Sequence, residues 1–343
     1  MLALRAAALP SCAPVARFLI LLFMASWVVH AAGRRVPNPA PAAAPAGARF
    51  TNLVAWGREM GFQPSEPRRN GELLLVNPSL TLAFKADSQS MTFDGVEHRL
   101  TSPVRRSPKG LQLAIRDIQT TLLPLLRPSH RPAHRPVRTV AINAGHGGKD
   151  PGNTEGRRQE KHYTLLVAGE IRRNLERAGL NVVVVRPSDT FVSLEDRPAK
   201  AAKAKADLYV SLHFNAFDGP GSGDVAGVET YCLTPAGASS TNDAGNHGGS
   251  WHPGNRFDRD NVLLAHHVHR AITGGTDLND RGVRRARFKE LTLLQMPGVL
   301  VEGGYMTHPQ DAASIYSPSG RAALARAIAD GVLAYKRLVE RTP

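Results

Sequence analysis

The chain has 343 residues, a formal charge of +14, two cysteines and a 42% hydrophobic share. That length holds one full α/β domain and a smaller companion, and two cysteines exclude a disulfide-built scaffold. The charge favours a polyanionic partner, but the basic residues are scattered with little aromatic interleaving, so no nucleic-acid partner is expected.

Residues 1–31 read as a secretory signal peptide. Arg5 and Arg17 precede the apolar stretch Phe18–Val29, and small residues stand ready for cleavage after Ala31. The stretch is too short to cross a bilayer comfortably, and no other run is long enough, so no membrane span is expected in the mature chain. Cleavage would remove Cys12, leave Cys232 as the single thiol and lower the charge from +14 to +12, since no acid occurs before Ala32. The expected location is the periplasm or cell envelope.

Residues 32–48 form a Pro/Ala linker without a core. Residues 49–126 have globular composition and read as a small β-rich domain. A short helix is expected over Leu53–Met60, strands over Glu72–Val76 and Leu80–Phe84, a hairpin around Asp94-Gly95, and a closing helix over Ile115–Leu126. This segment carries no His/Cys/Asp/Glu cluster with ligand spacing. Its strand pattern resembles the small stalk domain of copper amine oxidases. Residues 127–137, rich in Pro, Arg and His, form a stiff basic spacer, so the segment after it is expected to fold by itself.

From residue 138 to the end, strand and helix patterns alternate. The expected fold class is α/β, a mostly parallel twisted sheet with helices on both faces. Helices are expected over Glu160–Ala178, Leu194–Ala204, Asn261–Ile272 and Arg321–Leu338, and residues 235–259 read as a long surface loop. Three apolar runs each end in chemistry. Val137–Ile142 leads into Asn143-Ala144-Gly145-His146-Gly147-Gly148, Asp207–Leu212 into His213-Phe214-Asn215, and Gly298–Val301 into Glu302-Gly303-Gly304-Tyr305. In open α/β sheets, functional groups collect beyond the carboxyl ends of the strands.

A catalytic zinc site needs three protein ligands and one open position. His146, Glu160 and His213 can supply them to one Zn²⁺ per chain, with Glu160 opening the helix that follows the Gly-rich loop. Glu302 is the candidate proton carrier, because a carboxylate at the end of a buried strand must be paired or functional. Taken singly, each has an ordinary structural role open to it: a turn histidine, a core histidine, a first-turn acid, a salt-bridge acid. Their shared position at strand ends is what points to a metal site.

Residues 138–338 resemble the zinc-dependent N-acetylmuramoyl-L-alanine amidases of bacterial cell walls, of the cell-separation type. The matching stretches are Asn143–Gly152, Glu160-Lys161, Arg186–Asp189, Ala206–Ala216, Gly227–Tyr231, Arg281–Val283 and Pro297–Tyr305. The resemblance implies zinc on His146, Glu160 and His213, catalysis by Glu302, and a peptidoglycan substrate cut between N-acetylmuramic acid and L-alanine. His162 departs from the family's Asp and is a candidate neighbour of Glu160. In regulated relatives a helix blocks the zinc until a protein activator withdraws it; residues 235–259 lack the periodicity of such a plug, and no activator is identified. Asn215, Arg284 and Arg285 are candidate substrate contacts, because stem peptides carry carboxylates, and Arg186, Asp189 and Arg197 are expected to pair and brace the scaffold. Two other functions compete: a zinc peptidase cutting within the stem peptide, and a non-catalytic wall-binding scaffold.

Overall fold

The computed structural model describes residues 48–66, 70–129, 136–240, 242 and 249–341. The expected signal peptide, the Pro/Ala linker up to residue 47 and most of the second spacer lie outside the described residues. Eleven strands form one mixed sheet: β1 (Gln63–Pro64), β2 (Glu72–Asn77), β3 (Leu80–Lys85), β4 (Ser90–Phe93), β5 (Val96–Arg99), β6 (Thr139–Ala144), β7 (Asn181–Val184), β8 (Leu208–Asn215), β9 (Val228–Leu233), β10 (Asp280–Ala286) and β11 (Gly298–Tyr305). Their order is β7-β6-β8-β11-β9-β10-β5-β4-β3-β2-β1. From β7 to β11 the pairs are parallel, β9 runs antiparallel to β11, and β10 is parallel to both β9 and β5. The strands β1 to β5 form an antiparallel meander. Its β4–β5 hairpin closes on Asp94-Gly95, both at positive φ (49° and 81°), as a two-residue turn between right-twisted strands requires.

Among the described residues after the spacer, six α-helices accompany the sheet: α1 (Glu160–Arg177), α2 (Asp196–Lys203), α3 (Asp258–Gly275), α4 (Lys289–Thr292), α5 (Pro309–Tyr316) and α6 (Pro318–Val339). The long helix α6 packs against both α1 and α3. Val167, Ile171, Val268, Ile328 and Val332 bury themselves there with Val140, Ile142, Val210 and Leu212 of the central strands. On the opposite face, Ala201 of α2 and Leu291 of α4 close over Ala141, Tyr209 and Leu300. Alternation along each strand feeds the two cores: Val140, Ile142, Val210 and Leu212 point one way, Ala141 and Tyr209 the other. The chain leaves β6 for β7 on one side and returns to β8 on the other, so the loops after β6 and β8 diverge. That divergence opens a crevice at the carboxyl ends of the strands.

The segment before the spacer shares both sheet and core with the segment after it. Val283 of β10 pairs with His98 of β5, and Leu73, Phe84, Leu113 and Leu122 belong to the same apolar cluster as α3 and α6. A second small sheet, Phe50–Asn52 with Gly110–Ala114 and Arg105–Ser107, and the helical stretch Ile115–Leu126 complete it. That stretch contains a π-helical turn, Ile118–Leu122. Residues 280–286, which show no apolar alternation in the sequence, form the strand β10. Among the described residues no helix is long and apolar enough to cross a membrane.

Candidate metal centre

His146 stands two residues beyond β6, with a left-handed φ of 60°. Such a backbone costs a non-glycine residue about 1–2 kcal/mol, and two fully buried arginines hold the loop there. Arg197 donates to the carbonyls of Ala144 (3.0 Å) and His146 (2.9 Å). Arg186 donates to those of Ala144 (3.1 Å) and Gly145 (3.0 Å). Both brace the scaffold as expected of them, but Asp189 takes another partner: it accepts from Lys161 Nζ at 2.9 Å and from Gly148 N at 2.7 Å.

Glu160 opens α1, where the free N–H groups of the first turn favour a carboxylate. Its oxygens accept from Asn153 N and Phe214 N, each at 3.0 Å. The same oxygens face the two imidazoles. His146 Nε2 lies 3.0 Å from Oε2, and His213 Nδ1 lies 3.1 Å from Oε1. One ligand atom from each of the three residues lies within 4.8 Å of the others. Asp150 Oδ2 sits 2.9 Å from His146 Nδ1 and fixes that ring.

The cradle is shaped by missing side chains. A Cβ on Gly152 (φ 66°) would stand 2.6 Å from Glu160 Oε2 and from His146 Cδ2, and one on Gly145 would enter the His213 ring at 2.4 Å. Two imidazole nitrogens and one carboxylate oxygen, with backbone kept clear around them, fit a Zn²⁺-type ion.

Glu302 pairs in register with His213 on β8 and with Glu229 on β9, so these three side chains form a row across one face. Among the described residues its Oε2 is buried without a hydrogen-bond partner. Burial pushes the Glu302 carboxyl up to about 8; His213 opposes the rise, and Glu160, Glu229 and Glu290 add to it. For Glu160 burial works upward too, but the hydrogen bonds from His146 and His213 overcome it and hold the carboxyl well below the usual range. For His213 burial favours the neutral ring, and the carboxylates of Glu160 and Glu290 outweigh it and raise the imidazole well above its ordinary value. A cation entering this cradle therefore displaces a proton.

The expected substrate contacts divide. Arg284 lies on the site face, its Nε 2.9 Å from Glu229 Oε1, and Asn215 Nδ2 donates to Glu229 Oε2 at 3.3 Å. Arg285, the next residue on β10, points to the other face. It is buried and donates to Thr120 O (2.8 Å) and Thr121 Oγ1 (3.0 Å), so its expected role in substrate binding is withdrawn. His162 is exposed and packs edge-on against Tyr163, away from Glu160. Two buried acids gain importance. Glu229 collects Arg281 (3.0 Å), Arg284, Tyr231 (2.9 Å) and Asn215, and its interruption of an apolar strand is the signal that marks it. Glu290 gave none: it lies in the four-residue α4, too short to show a period.

A family model described as N-acetylmuramoyl-L-alanine amidase matches residues 140–334. The chain is 34% identical over 219 residues to the N-acetylmuramoyl-L-alanine amidase AmiC of Neisseria meningitidis, covering 57% of this chain and 52% of that one. It is 32% identical over 223 residues to the uncharacterized protein YqiI of Bacillus subtilis, covering 65% of this chain and 95% of the relative. It spans 36% of the amidase LytC of the same organism. The solved structure of the amidase AmiC2 of Nostoc punctiforme covers 58% of this chain and 97% of that one at 32% identity, with a TM-score of 0.49. With its cradle residues inside the matched region, the chain belongs to the N-acetylmuramoyl-L-alanine amidase family.

Proposed function

We propose that this protein is an N-acetylmuramoyl-L-alanine amidase that cuts the amide bond between the lactyl carbonyl of N-acetylmuramic acid and L-alanine of the stem peptide in peptidoglycan. His146, Glu160 and His213 hold one Zn²⁺, and Glu302 moves the proton. The observation that carries this is the convergence of the three ligand atoms beside a buried, unpartnered carboxyl oxygen. Zn²⁺ supplies a Lewis acid for the scissile carbonyl and for water. Glu302 accepts the proton of the attacking water and delivers it to the departing amine of L-alanine. A carboxyl whose burial favours the protonated form is suited to hold that proton between the two steps. The products are the lactyl carboxylic acid on the glycan and a stem peptide with a free amino terminus.

Asp150, Arg186 and Arg197 keep the His146 loop in place. Arg281 and Arg284 share the single charge of Glu229, and among the described residues no second acid lies within salt-bridge distance of either. We assign them the binding of a stem-peptide carboxylate. Residues 1–31 support export to the periplasm or envelope, where this substrate lies.

Mass spectrometry of fragments released from purified peptidoglycan tests the reaction. Intact stem peptides beginning with free L-alanine are expected. Fragments cut within the stem would make the protein a peptidase, and no release by folded, metal-loaded protein would leave a wall-binding scaffold.

A further inference from the structure

Glu290 is a carboxylate in a place where a charge needs a reason. It is 3% exposed, and a buried ion is tolerated only when its oxygens are fully engaged. Its Oε2 accepts from Tyr209 Oη (2.6 Å) and Asn143 Nδ2 (2.9 Å), and its Oε1 accepts from Ser211 Oγ (2.9 Å). Those donors come from β6 and β8, the strands that deliver His146 and His213. Tyr209, Ser211 and His213 are alternate residues of β8 and stand on one face, so the acid lies along the base of the His213 side chain. The fourth contact is His213 Nε2, 3.6 Å from Glu290 Oε1. Asn143 extends the set, since its Oδ1 accepts from Arg197 (3.0 Å), whose other donors hold the His146 loop.

The two imidazoles enter the cradle by different nitrogens. His146 turns Nε2 toward Glu160 and Nδ1 toward Asp150. His213 turns Nδ1 toward Glu160 and His146, at 3.1 and 3.2 Å, and Nε2 toward Glu290. A neutral imidazole offers a lone pair at one nitrogen only when its proton sits on the other. His213 can therefore present Nδ1 to the cradle only with its proton on Nε2, and Glu290 is the acid on that side.

We propose that Glu290 is a positioning residue for the metal centre: its carboxylate takes the Nε2–H of His213, selects the tautomer with a bare Nδ1, and fixes the ring against Glu160. This rests on the assignment of His146, Glu160 and His213 as metal ligands. The role is that of an outer carboxylate behind a ligating histidine, whose loss typically weakens metal binding by about 10–100-fold.

Two measurements test it on the full chain, with Zn²⁺ itself as probe. The first is the Zn²⁺ dissociation constant, by competition with a chromophoric chelator, for wild type, Glu290→Gln and Tyr209→Phe. Tyr209→Phe removes one donor to the oxygen turned away from His213 and keeps the charge. Glu290→Gln is expected to bind about 10–100-fold more weakly, and Tyr209→Phe within about 3-fold of wild type by the same reasoning. Equal affinity in a folded Glu290→Gln protein would overturn the proposal. The second needs no variant: long-range ¹H–¹⁵N spectra of zinc-loaded, ¹⁵N-histidine-labelled wild type. Two zinc-shifted imidazoles are expected, one protonated at Nδ1 and the other at Nε2; two rings with the same tautomer would sink it. Zinc that persists at full stoichiometry in His213→Ala would instead remove the metal-centre assignment, a separate failure.

Discussion

Glu302 and Gly152 show how single residues set the chemistry. Glu302→Gln preserves shape but removes the proton acceptor, and turnover is expected to fall by about 10²-fold or more, the usual scale for losing a general base. Zinc content, read by elemental analysis, should stay near wild type; full activity would shift the proton role to another acid, with Glu229 next in the row. Gly152→Ala attacks the cradle instead. Its φ of 66° strains alanine, and the new Cβ meets Glu160 Oε2 and His146 Cδ2 at 2.6 Å, so zinc should be lost with activity while helical content persists. Retention of both would mean that the loop relaxes around the methyl group. At this scale the sequence is informative where chemistry and position coincide: His146 follows a strand and Glu160 opens a helix, while His213 and Glu302, expected just beyond their strands, instead pair in register within β8 and β11. Arg285 misleads because Arg284 and Arg285 look equivalent until β10 is recognised as a strand, whose alternation sends them to opposite faces.

At the scale of elements, the join between α3 and β5 carries its own pH dependence. His98 Nε2 and His266 Nδ1 lie 3.0 Å apart in a buried stack, with Phe93 edge-on to both rings. Burial lowers the His266 imidazole to about 3, and His267, Arg270 and His269 add to the fall. Burial likewise lowers His98, helped by His266, Arg285 and His269. The unfolded chain thus binds these protons first as pH drops below about 6.5, so stability is intact above that value and declines toward pH 3. Asp117 works in the opposite sense. Burial raises it to about 6, so its contribution is present in acid and lost as pH rises through 6. Comparing wild type with His266→Gln, in which Asp117 is untouched, isolates the histidine contribution. Wild type should lose about 2 kcal/mol more than the variant between pH 7.5 and 5, measured by denaturant unfolding; parallel pH slopes would show that His266 takes up its proton as readily in the folded protein as in the unfolded chain. The long helices and the central strands are legible because their apolar periods are strong. The strand β10 is not, since four arginines in Arg281–Arg287 hide an alternation that only the sheet reveals.

Over the whole molecule, the Pro-rich spacer predicts two separable parts, and the sheet runs through both. A chain beginning at Pro136 keeps every residue of the metal centre and the whole family match, which starts at Val140. It also strips β5 from the edge of β10, removes His98 from His266, and takes Thr120 and Thr121 from the buried guanidinium of Arg285. A buried charge that loses two of its acceptors weakens a fold, and an open strand edge invites aggregation. Sequence alone hides this, because composition marks the spacer while the pairing Val283↔His98 joins residues far apart in the chain. The truncated protein is therefore expected to unfold at lower temperature than the full chain. Its activity should fall in the same proportion on small soluble muropeptides and on insoluble sacculi. A role in tethering the enzyme to the wall predicts otherwise, with soluble substrate spared and sacculi alone affected, since tethering raises local concentration only at a surface. Melting curves and paired rate measurements on both substrates separate the cases: an unchanged melting temperature with selective loss on sacculi would make residues 49–126 a targeting module, whatever sheet they share.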